Sequence, residues 1–440
     1  MKLLRKLSIF IFIITIVSLI AVSCSSPAQT PSSSKAPIKI GYITNMNFVV
    51  HKETLSAAKM AVDEINASGG ILGRPIELVV EDDLGKVPNA VSAYKKLILT
   101  DNCRILIMGE GSESTMANQE TGAELYKDYP HISVSVGAAQ PDITMKVANN
   151  YDKYKFFFRH HHNAVTTNMN LLCDGQSTMM KSNNLKKLAH LEEDADWNKP
   201  SRNGGFGNPP MKEMFKNNGL DVVYYGEVAI GEKMFFTIFD EIARSGAEAI
   251  FCQFAYTDTV TCAKQWASSA AKDIPINFTG AGGASLKSYW GSTGGACLGS
   301  WISDPEGNYP VTPNTVPFVE KLRSKYGVGL TWMSQYPYEF LYMLKRACEK
   351  TGTADDTEAL IKALEQVEIP ENESVHGRIK YGTTGINTHG MLVGPGYYLN
   401  ISGQWQGDGN VVILWPQEIA NKINPGKGYI SPEKLRTTVK

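Results

Sequence analysis

The sequence has no excess of charge of either sign, and this absence excludes one large class of protein. Lysine and arginine together number 43, against 44 aspartates and glutamates, so the formal net charge is −1. A nucleic-acid-binding surface needs clustered basic residues, so we expect no nucleic-acid partner. At 440 residues the chain exceeds the usual size of one hydrophobic core, which predicts two domains.

The chain also lacks the short motifs of metal sites and hydrolases. Its seven cysteines are scattered without a C-x-x-C pair, no H-E-x-x-H motif occurs, and "GEGSEST" (109–115) is not a G-x-S-x-G turn. We therefore expect no catalytic residue, metal or cofactor. For the cysteines after Cys24, the sequence predicts buried free thiols or one disulfide. They are Cys103, Cys173, Cys252, Cys262, Cys297 and Cys348.

The longest apolar run lies at the N-terminus. Three basic residues at positions 2–6 precede residues 7–22, a run shorter than the about 20 residues of a spanning helix. "LIAVSC" then ends at Cys24 and resembles a bacterial lipobox, which predicts a leader over residues 1–24 and lipidation of Cys24. An ordinary cleaved signal and an uncleaved anchor are the alternatives. Residues 25–37 are rich in Ser and Pro and predict a flexible tether.

From residue 38 onwards, strand patterns alternate with helix patterns in two series. The first series has strands at 38–44, 76–83, 104–109 and 131–137, with helices at 54–70, 88–100 and 114–129. The second has strands at 186–194, 221–230, 247–254 and 276–282, with helices at 164–181, 211–218, 234–245 and 258–271. Further helices are predicted at 316–326, 335–351 and 355–366. This alternation is typical of α/β domains with parallel sheets.

The two series predict two doubly wound lobes joined by a hinge. We expect lobe 1 to comprise residues 38–158 plus about 304–384, and lobe 2 to comprise 159–303 plus about 385–440. Ligands of such sheets bind beyond the carboxyl ends of the strands. Two facing sheets would therefore form a ligand cleft that closes by hinge motion.

One stretch resembles a known family. "AVDEINASGGILGRPIELVVEDD" (61–83) is similar to the helix–turn–strand signature of the leucine/isoleucine/valine-binding protein family. Its glycines permit the positive φ needed to stop a helix and turn into a strand. The resemblance implies a type I periplasmic binding protein that is monomeric, captures a small ligand outside the cytoplasm and delivers it to an ABC transporter permease. A ligand sensor or co-receptor with the same fold is one alternative, and a metal-dependent enzyme that uses the histidines is the other.

The resemblance also implies where a ligand carboxylate would bind. Ser112 matches the family's serine at a helix N-terminus, a natural anion site, with Ser114 close by. The second loop on this side matches Gly137, Ala138 and Ala139, and Ala139 replaces a threonine that amino-acid binders usually have. A simple helix N-cap is the alternative role of Ser112.

On the opposite side of the cleft, the resemblance places Trp197 and Tyr256 where the family has tyrosines that cover the ligand. A flat aromatic wall suits an apolar or aromatic ligand body. Ordinary core packing is the alternative for both residues.

The group that would bind an ammonium is missing from the matching positions. Gly282 stands where amino-acid binders have an acidic residue, and Ala164 replaces a second one. A desolvated ammonium without a counter-charge is strongly disfavoured. We favour a ligand without an α-ammonium, such as an aromatic or carboxylic acid, an amide or urea. In the alternative, an acidic residue nearby takes over: Glu110, Glu113, Glu193 or Asp196.

Three consecutive histidines, residues 160–162, follow the strand-like run "FFFR" at the predicted crossing between the lobes. Adjacent side chains of an extended segment point to opposite faces, so only His160 and His162 could act together. Three interpretations remain: these two contact the ligand, they bind a metal, or the run consists of solvated hinge residues.

Overall fold

Two β-sheets organise the chain. The structure is a computed structural model and describes residues 36–109, 111–161, 165–279, 284, 288–303, 309–398, 400–407 and 409–438. The first sheet has five parallel strands in the order β2-β1-β3-β4-β5. They are β1 Ile38–Thr44, β2 Ile76–Asp82, β3 Ile105–Met108, β4 Ile132–Ser135 and β5 Phe157–Arg159. The first four match the four strands of the first predicted series, and β5 matches the strand-like run "FFFR".

The second sheet has seven strands in the order β14-β13-β10-β9-β8-β6-β7. Its parallel strands are β6 Lys187–Asp194, β7 Asp221–Ala229, β8 Ala249–Gln253, β9 Ile276–Thr279 and β10 Trp301–Ser303. An antiparallel pair, β13 Ser402–Gly407 and β14 Asn410–Trp415, extends it beyond β10. A small separate sheet pairs β11 Glu368–Ile369 with β12 Ile379–Lys380. The predicted class, two parallel-sheet α/β lobes, is confirmed, with this antiparallel edge added.

Sixteen α-helices lie within the described residues. Those before β6 are α1 Val49–Ala67, α2 Val87–Leu99, α3 Ser112–Leu125, α4 Asp142–Asn149, α5 Tyr151–Tyr154 and α6 Val165–Ser182. Those of the second series are α7 Lys199–Asn203, α8 Met211–Asn217, α9 Phe236–Ser245, α10 Thr259–Ala267 and α11 Tyr289–Thr293. The last five are α12 Thr315–Tyr326, α13 Gln335–Thr351, α14 Thr357–Leu364, α15 Gln417–Ile423 and α16 Pro432–Thr438. Short 3-10 helices cover Asp196–Asn198, Glu371–Glu373 and Gly385–Asn387.

Each sheet has its own core. The first core packs strand residues such as Tyr42 and Phe158 against α13 residues such as Phe340. The second sheet buries one cluster on each face: Trp266 belongs to one and Phe215 to the other. Burial on both faces is what a parallel sheet covered by helices requires.

The chain returns to the first sheet near its C-terminal part. The N–H of Arg159, the last residue of β5, donates to His389 O at 2.8 Å, and Met391 N donates to Arg159 O at 2.9 Å. Met391 and Tyr398 are buried in the first core. These contacts place residues 389–398 with the first lobe, whereas the sequence predicts the exchange to lobe 2 near residue 385. The other lobe boundaries stay predictions.

All six cysteines after Cys24 are buried and free, so the prediction of buried thiols holds and no disulfide joins them. Burial raises the pKa of Cys103 and of Cys348 to about 12, which keeps both thiols protonated. Within the described ranges, no helix is both long and apolar enough to cross a bilayer. The predicted leader, Cys24 and most of the tether lie outside the described residues.

Candidate functional site

A cavity of about 50 Å³ lies where the carboxyl ends of strands from both sheets meet. One water molecule needs about 10–15 Å³ on such a scale, so the cavity suits a small molecule and not a peptide. Its described lining residues come from both lobes. They are Phe48, His51, Gly111, Ser112, Gly137, Ala139, Trp197, Ala255, Tyr256, Trp332 and Met333. Five of the residues selected from the sequence are therefore brought together here.

Ser112 joins the helix N-terminus to the loop after β4. It is the first residue of α3, and Gly111 occupies the N-cap position. The Ser112 hydroxyl oxygen accepts hydrogen bonds from Ala139 N at 3.1 Å and from Gln140 N at 3.3 Å. A hydroxyl has two lone pairs and one proton, so the proton is left to donate into the cavity. The alternative that Ser112 merely caps α3 is wrong.

Two residues predicted beside Ser112 do not line the cavity. Ser114 is buried inside α3. Ala138 is buried in the first core, and its N–H donates to Ser135 Oγ at 3.1 Å. Of the residues predicted for this side of the cleft, Ser112, Gly137 and Ala139 line the cavity.

Glu193, near the end of β6, holds the opposite wall. Its Oε1 accepts hydrogen bonds from Tyr256 N at 2.8 Å and from the N–H and hydroxyl of Thr257, both at 2.6 Å. Its Oε2 accepts from Trp197 Nε1 at 3.0 Å and from Ala255 N at 3.3 Å. A carboxylate has about four lone-pair sites. These five donors occupy Glu193 fully, so it is unavailable to a ligand ammonium. We call this arrangement the Glu193 clamp.

The clamp presents two aromatic side chains to the cavity. Tyr256 is 49% exposed, and its ring centroid lies 6.4 Å from that of Phe48 in the first lobe. Burial among the atoms around the cavity, with the charges of Glu113 and Glu193, raises the pKa of Tyr256 to about 12. Its hydroxyl therefore stays protonated and can donate. Trp197 lines the cavity while also packing against the second core.

Two other acidic residues considered from the sequence, Asp196 and Glu113, do not line the cavity. Asp196 is half exposed and pairs with Lys199 at 2.5 Å. Glu113 is exposed at the surface of α3. Glu110, Ala164 and Gly282 lie outside the described residues. Of the described residues that line the cavity, none is Asp or Glu.

Gln140 connects the two lobes beside the cavity. Its side-chain Nε2 donates to the backbone oxygen of Asp196 at 2.7 Å, and Asp196 precedes Trp197 in the second lobe. The same residue donates its backbone N–H to Ser112, and its backbone oxygen accepts from Arg159 Nη1 at 3.5 Å. Gln140 thus contacts Ser112, the strand β5 and the second lobe.

The two described residues of the histidine run, His160 and His161, lie inside the protein and away from the cavity. His160 is fully buried, with Nδ1 2.6 Å from the Tyr381 hydroxyl and its ring against Phe340. Burial lowers the pKa of His160 to about 3. His161 is buried as well, and His162 lies outside the described residues. The interpretation as solvated hinge residues is therefore wrong for His160 and His161. Of the two, neither lines the cavity, and the described residues contain no cluster of three or more metal-ligating side chains.

Six lining residues were not selected from the sequence, and two of them, Gly111 and Ala255, are chain neighbours of the selected Ser112 and Tyr256. Phe48 and His51 follow β1, and the same strand-end rule that selected the other loops would have found them. Burial lowers the pKa of His51 to about 4, so its ring is neutral near pH 7. Trp332 and Met333 precede α13 and follow no strand, so no such signal exists for them. A hydrogen bond of 3.1 Å between the hydroxyls of Thr54 and Thr331 joins this turn to α1.

Comparison with known proteins gives a consistent result. A family model described as periplasmic binding protein matches residues 37–397. The Leu/Ile/Val-binding protein BraC3 of Rhizobium johnstonii is 25% identical over 377 residues, which cover 84% of this chain and 94% of that protein.

Solved structures superpose along most of the chain. An ABC transporter substrate-binding protein from Sphaerobacter thermophilus gives a TM-score of 0.68 at 20% identity, covering 86% of this chain and 96% of that one. A solute-binding protein of an R. palustris ABC transporter, solved in complex with benzoate, gives 0.66 at 17% identity, covering 86% and 95%. At these identities the solved structures establish the fold.

Proposed function

Because the chain belongs to the periplasmic binding protein family, we propose that it captures a small molecule outside the cytoplasm and delivers it to an ABC transporter permease. It is a substrate-binding protein of the branched-chain amino acid type, as the relative from Rhizobium johnstonii is by name. The cavity between the lobes supports this function because ligand contacts from both lobes favour the closed form. A permease can distinguish that form from the open one.

The ligand we propose carries a carboxylate or carbonyl group and no α-ammonium. The observation that carries this proposal is the imbalance of the lining: it offers hydrogen-bond donors and, among the described residues, no carboxylate. Donors come from the Ser112 hydroxyl and the first turn of α3, where the helix dipole also favours an anion. The buried carboxylate of Glu193 is occupied by donors of the loop after β8.

The body of the ligand is apolar or aromatic. Phe48, Trp197, Tyr256 and Trp332 surround the cavity with rings, and aromatic walls bury flat apolar groups well. The R. palustris relative bound to benzoate makes a benzoate-like acid a reasonable first probe.

A thermal-shift screen with matched ligands tests the proposal. Leucine and 4-methylpentanoate share one side chain and one carboxylate and differ only in the α-ammonium. We expect 4-methylpentanoate or benzoate to raise the unfolding temperature more than leucine, since a ligand at 100 times its Kd stabilises by about 2.7 kcal/mol. Acetamide and urea extend the screen to neutral carbonyl ligands. The largest shift from leucine or valine would refute the ligand class and leave the binding function standing.

The N-terminal segment would anchor the protein. We infer that Cys24 is lipidated and that residues 25–37 tether a monomeric binding domain to the outer face of the cell membrane. Two or more acyl chains suffice for stable anchoring. Radiolabelled palmitate should enter the wild-type protein and not a Cys24→Ala variant, which should move to the soluble fraction. Label in the variant would refute this site of lipidation.

A further inference from the structure

A second, larger cavity lies in the first lobe. It has a volume of about 380 Å³, against about 50 Å³ between the lobes, and the two share no lining residue among those that the structure describes. Pockets that bind small molecules commonly measure about 300–1,000 Å³. The cavity is enclosed by α12, α13 and residues 369–375. Its lining residues include Phe318, Lys321, Tyr338, Glu339, Tyr342 and Arg346.

The frame of this cavity is fixed by hydrogen bonds. On the side of α12, Thr315 Oγ1 donates to Val375 O at 2.6 Å and Asn314 Nδ2 donates to Asn372 O at 2.9 Å. On the side of α13, Ser374 Oγ donates to Glu339 at 2.8 Å. Because both helices hold the segment, a ligand would meet a preorganised pocket and lose little affinity to ordering it.

Three aromatic rings form one wall. The ring centroids of Phe318 and Tyr338 lie 4.8 Å apart, and those of Tyr338 and Tyr342 lie 5.1 Å apart. Both tyrosine hydroxyls donate to Glu64 Oε2, at 2.7 Å and 2.8 Å. These bonds fix the rings. The faces of aromatic rings carry negative potential and attract cations.

The remaining charge in the cavity is negative. Lys321 pairs with Glu64 at 2.8 Å, and Arg346 pairs with Glu373, so both cations of the lining are compensated. Glu339 is buried on α13, and its Oε1 accepts from Ser374 and, at 2.7 Å, from Val375 N. No Lys, Arg or His forms an ion pair with it in the part of the chain that the structure describes.

We propose that this cavity binds a small organic cation, whose ammonium head lies against the tyrosine wall and the Glu339 carboxylate. The site is separate from the cleft, since none of the described residues lines both cavities. The cation would therefore be an effector or a second cargo and would not compete with the cleft ligand.

The affinity should depend on pH. Burial raises the pKa of Glu339 to about 7, against the opposing hydrogen bonds from Val375, Ser374 and the N–H of His376. The carboxylate is charged above that value, so a cation binds more tightly at pH 8 than at pH 6. The ratio is about tenfold, since such a group is about one-tenth ionised at pH 6 and nine-tenths at pH 8. Other titratable or charged groups around the cavity are Glu64, Lys321, Tyr338, Tyr342, Arg346, Glu373 and His376.

Isothermal titration with choline tests the proposal, with 3,3-dimethyl-1-butanol as the neutral molecule of the same shape. We expect saturable choline binding that is about tenfold tighter at pH 8 than at pH 6, and no measurable binding of the alcohol. Glu339→Gln should weaken choline binding at least tenfold and remove its pH dependence, because the amide is neutral and does not titrate. The amide oxygen still accepts from Ser374 and Val375, so the segment should keep its place. Glu320→Gln, on the exposed surface of α12, is the matched control and should bind choline as the wild type does.

Three results would overturn the proposal: no saturable choline binding at pH 8, equal binding of the alcohol, or tighter binding of benzoate than of choline at this cavity. Tyr342→Leu provides a second variant if Glu339→Gln does not fold, and it should lose choline binding as well. Affinity for the cleft ligand should be the same in all variants, which separates this site from the proposed transport function.

Discussion

Replacing Gln140 by Ala removes a hydrogen bond that exists only when the lobes are together. The bond joins Gln140 Nε2 to Asp196 O at 2.7 Å. One neutral hydrogen bond contributes about 0.5–1.5 kcal/mol net. The equilibrium constant for closing should therefore fall by about 2- to 13-fold, and the Kd of the cleft ligand should rise by the same factor.

Surface plasmon resonance measures the association and dissociation rate constants of the cleft ligand separately. The ligand enters the open form, so the association rate should stay within a factor of two of the wild type. The dissociation rate should rise by the full factor. Gln119→Ala is the matched control: Gln119 Nε2 donates to Ile143 O at 2.8 Å within the first lobe. It should lower the free energy of unfolding and leave ligand dissociation unchanged.

An unchanged dissociation rate in Gln140→Ala would show that this bond does not stabilise the closed form. An equal loss of affinity in both glutamine variants would contradict the prediction as well, since the effect would then come from general destabilisation of the first lobe.

Three further predictions concern single side chains. Trp197→Ala should raise the Kd of the cleft ligand at least tenfold with intact circular dichroism, and an unchanged Kd by calorimetry would remove Trp197 from the site. Ser112→Ala should weaken a carboxylate ligand by about 1–2 kcal/mol, whereas Ser92→Ala, which loses an exposed bond to Pro88 O on α2, should not. For His160, the folded pKa of about 3 lies below the unfolded value of 6.5, so stability falls as pH drops below 6.5. The loss is about 2 kcal/mol at pH 5. Denaturant titrations at pH 7 and pH 5 measure this loss in the free energy of unfolding. The loss should be smaller in His160→Gln, and an equal loss in the variant would contradict its assignment to His160.

The alternation of strands and helices was readable in part because several strands are continuous apolar runs. β1, β3 and β8 are nearly or entirely buried, as strands covered on both faces must be. β10, Trp301–Ser303, was not predicted, because three residues carry too little pattern to separate a strand from a loop. The return of residues 389–391 beside β5 was also missed, since that pairing depends on backbone bonds and not on side-chain periodicity.

The candidate site was predictable in part for a similar reason. Ser112, Gly137, Ala139, Trp197 and Tyr256 each lie just after a strand, where parallel sheets place their ligand contacts. His160 follows a strand too, yet its side chain turns into the first core towards Tyr381. The direction of a side chain at a strand end depends on tertiary packing, which the spacing of residues does not contain.

The Glu193 clamp has a consequence for how the pocket can change. Three of its five donors are backbone N–H groups, of Ala255, Tyr256 and Thr257, and a backbone N–H survives any substitution except proline. The side chain at position 256 can therefore be replaced while the loop keeps its course. Natural selection or protein engineering can therefore change the ligand preference of this face of the pocket without changing the backbone that supports it.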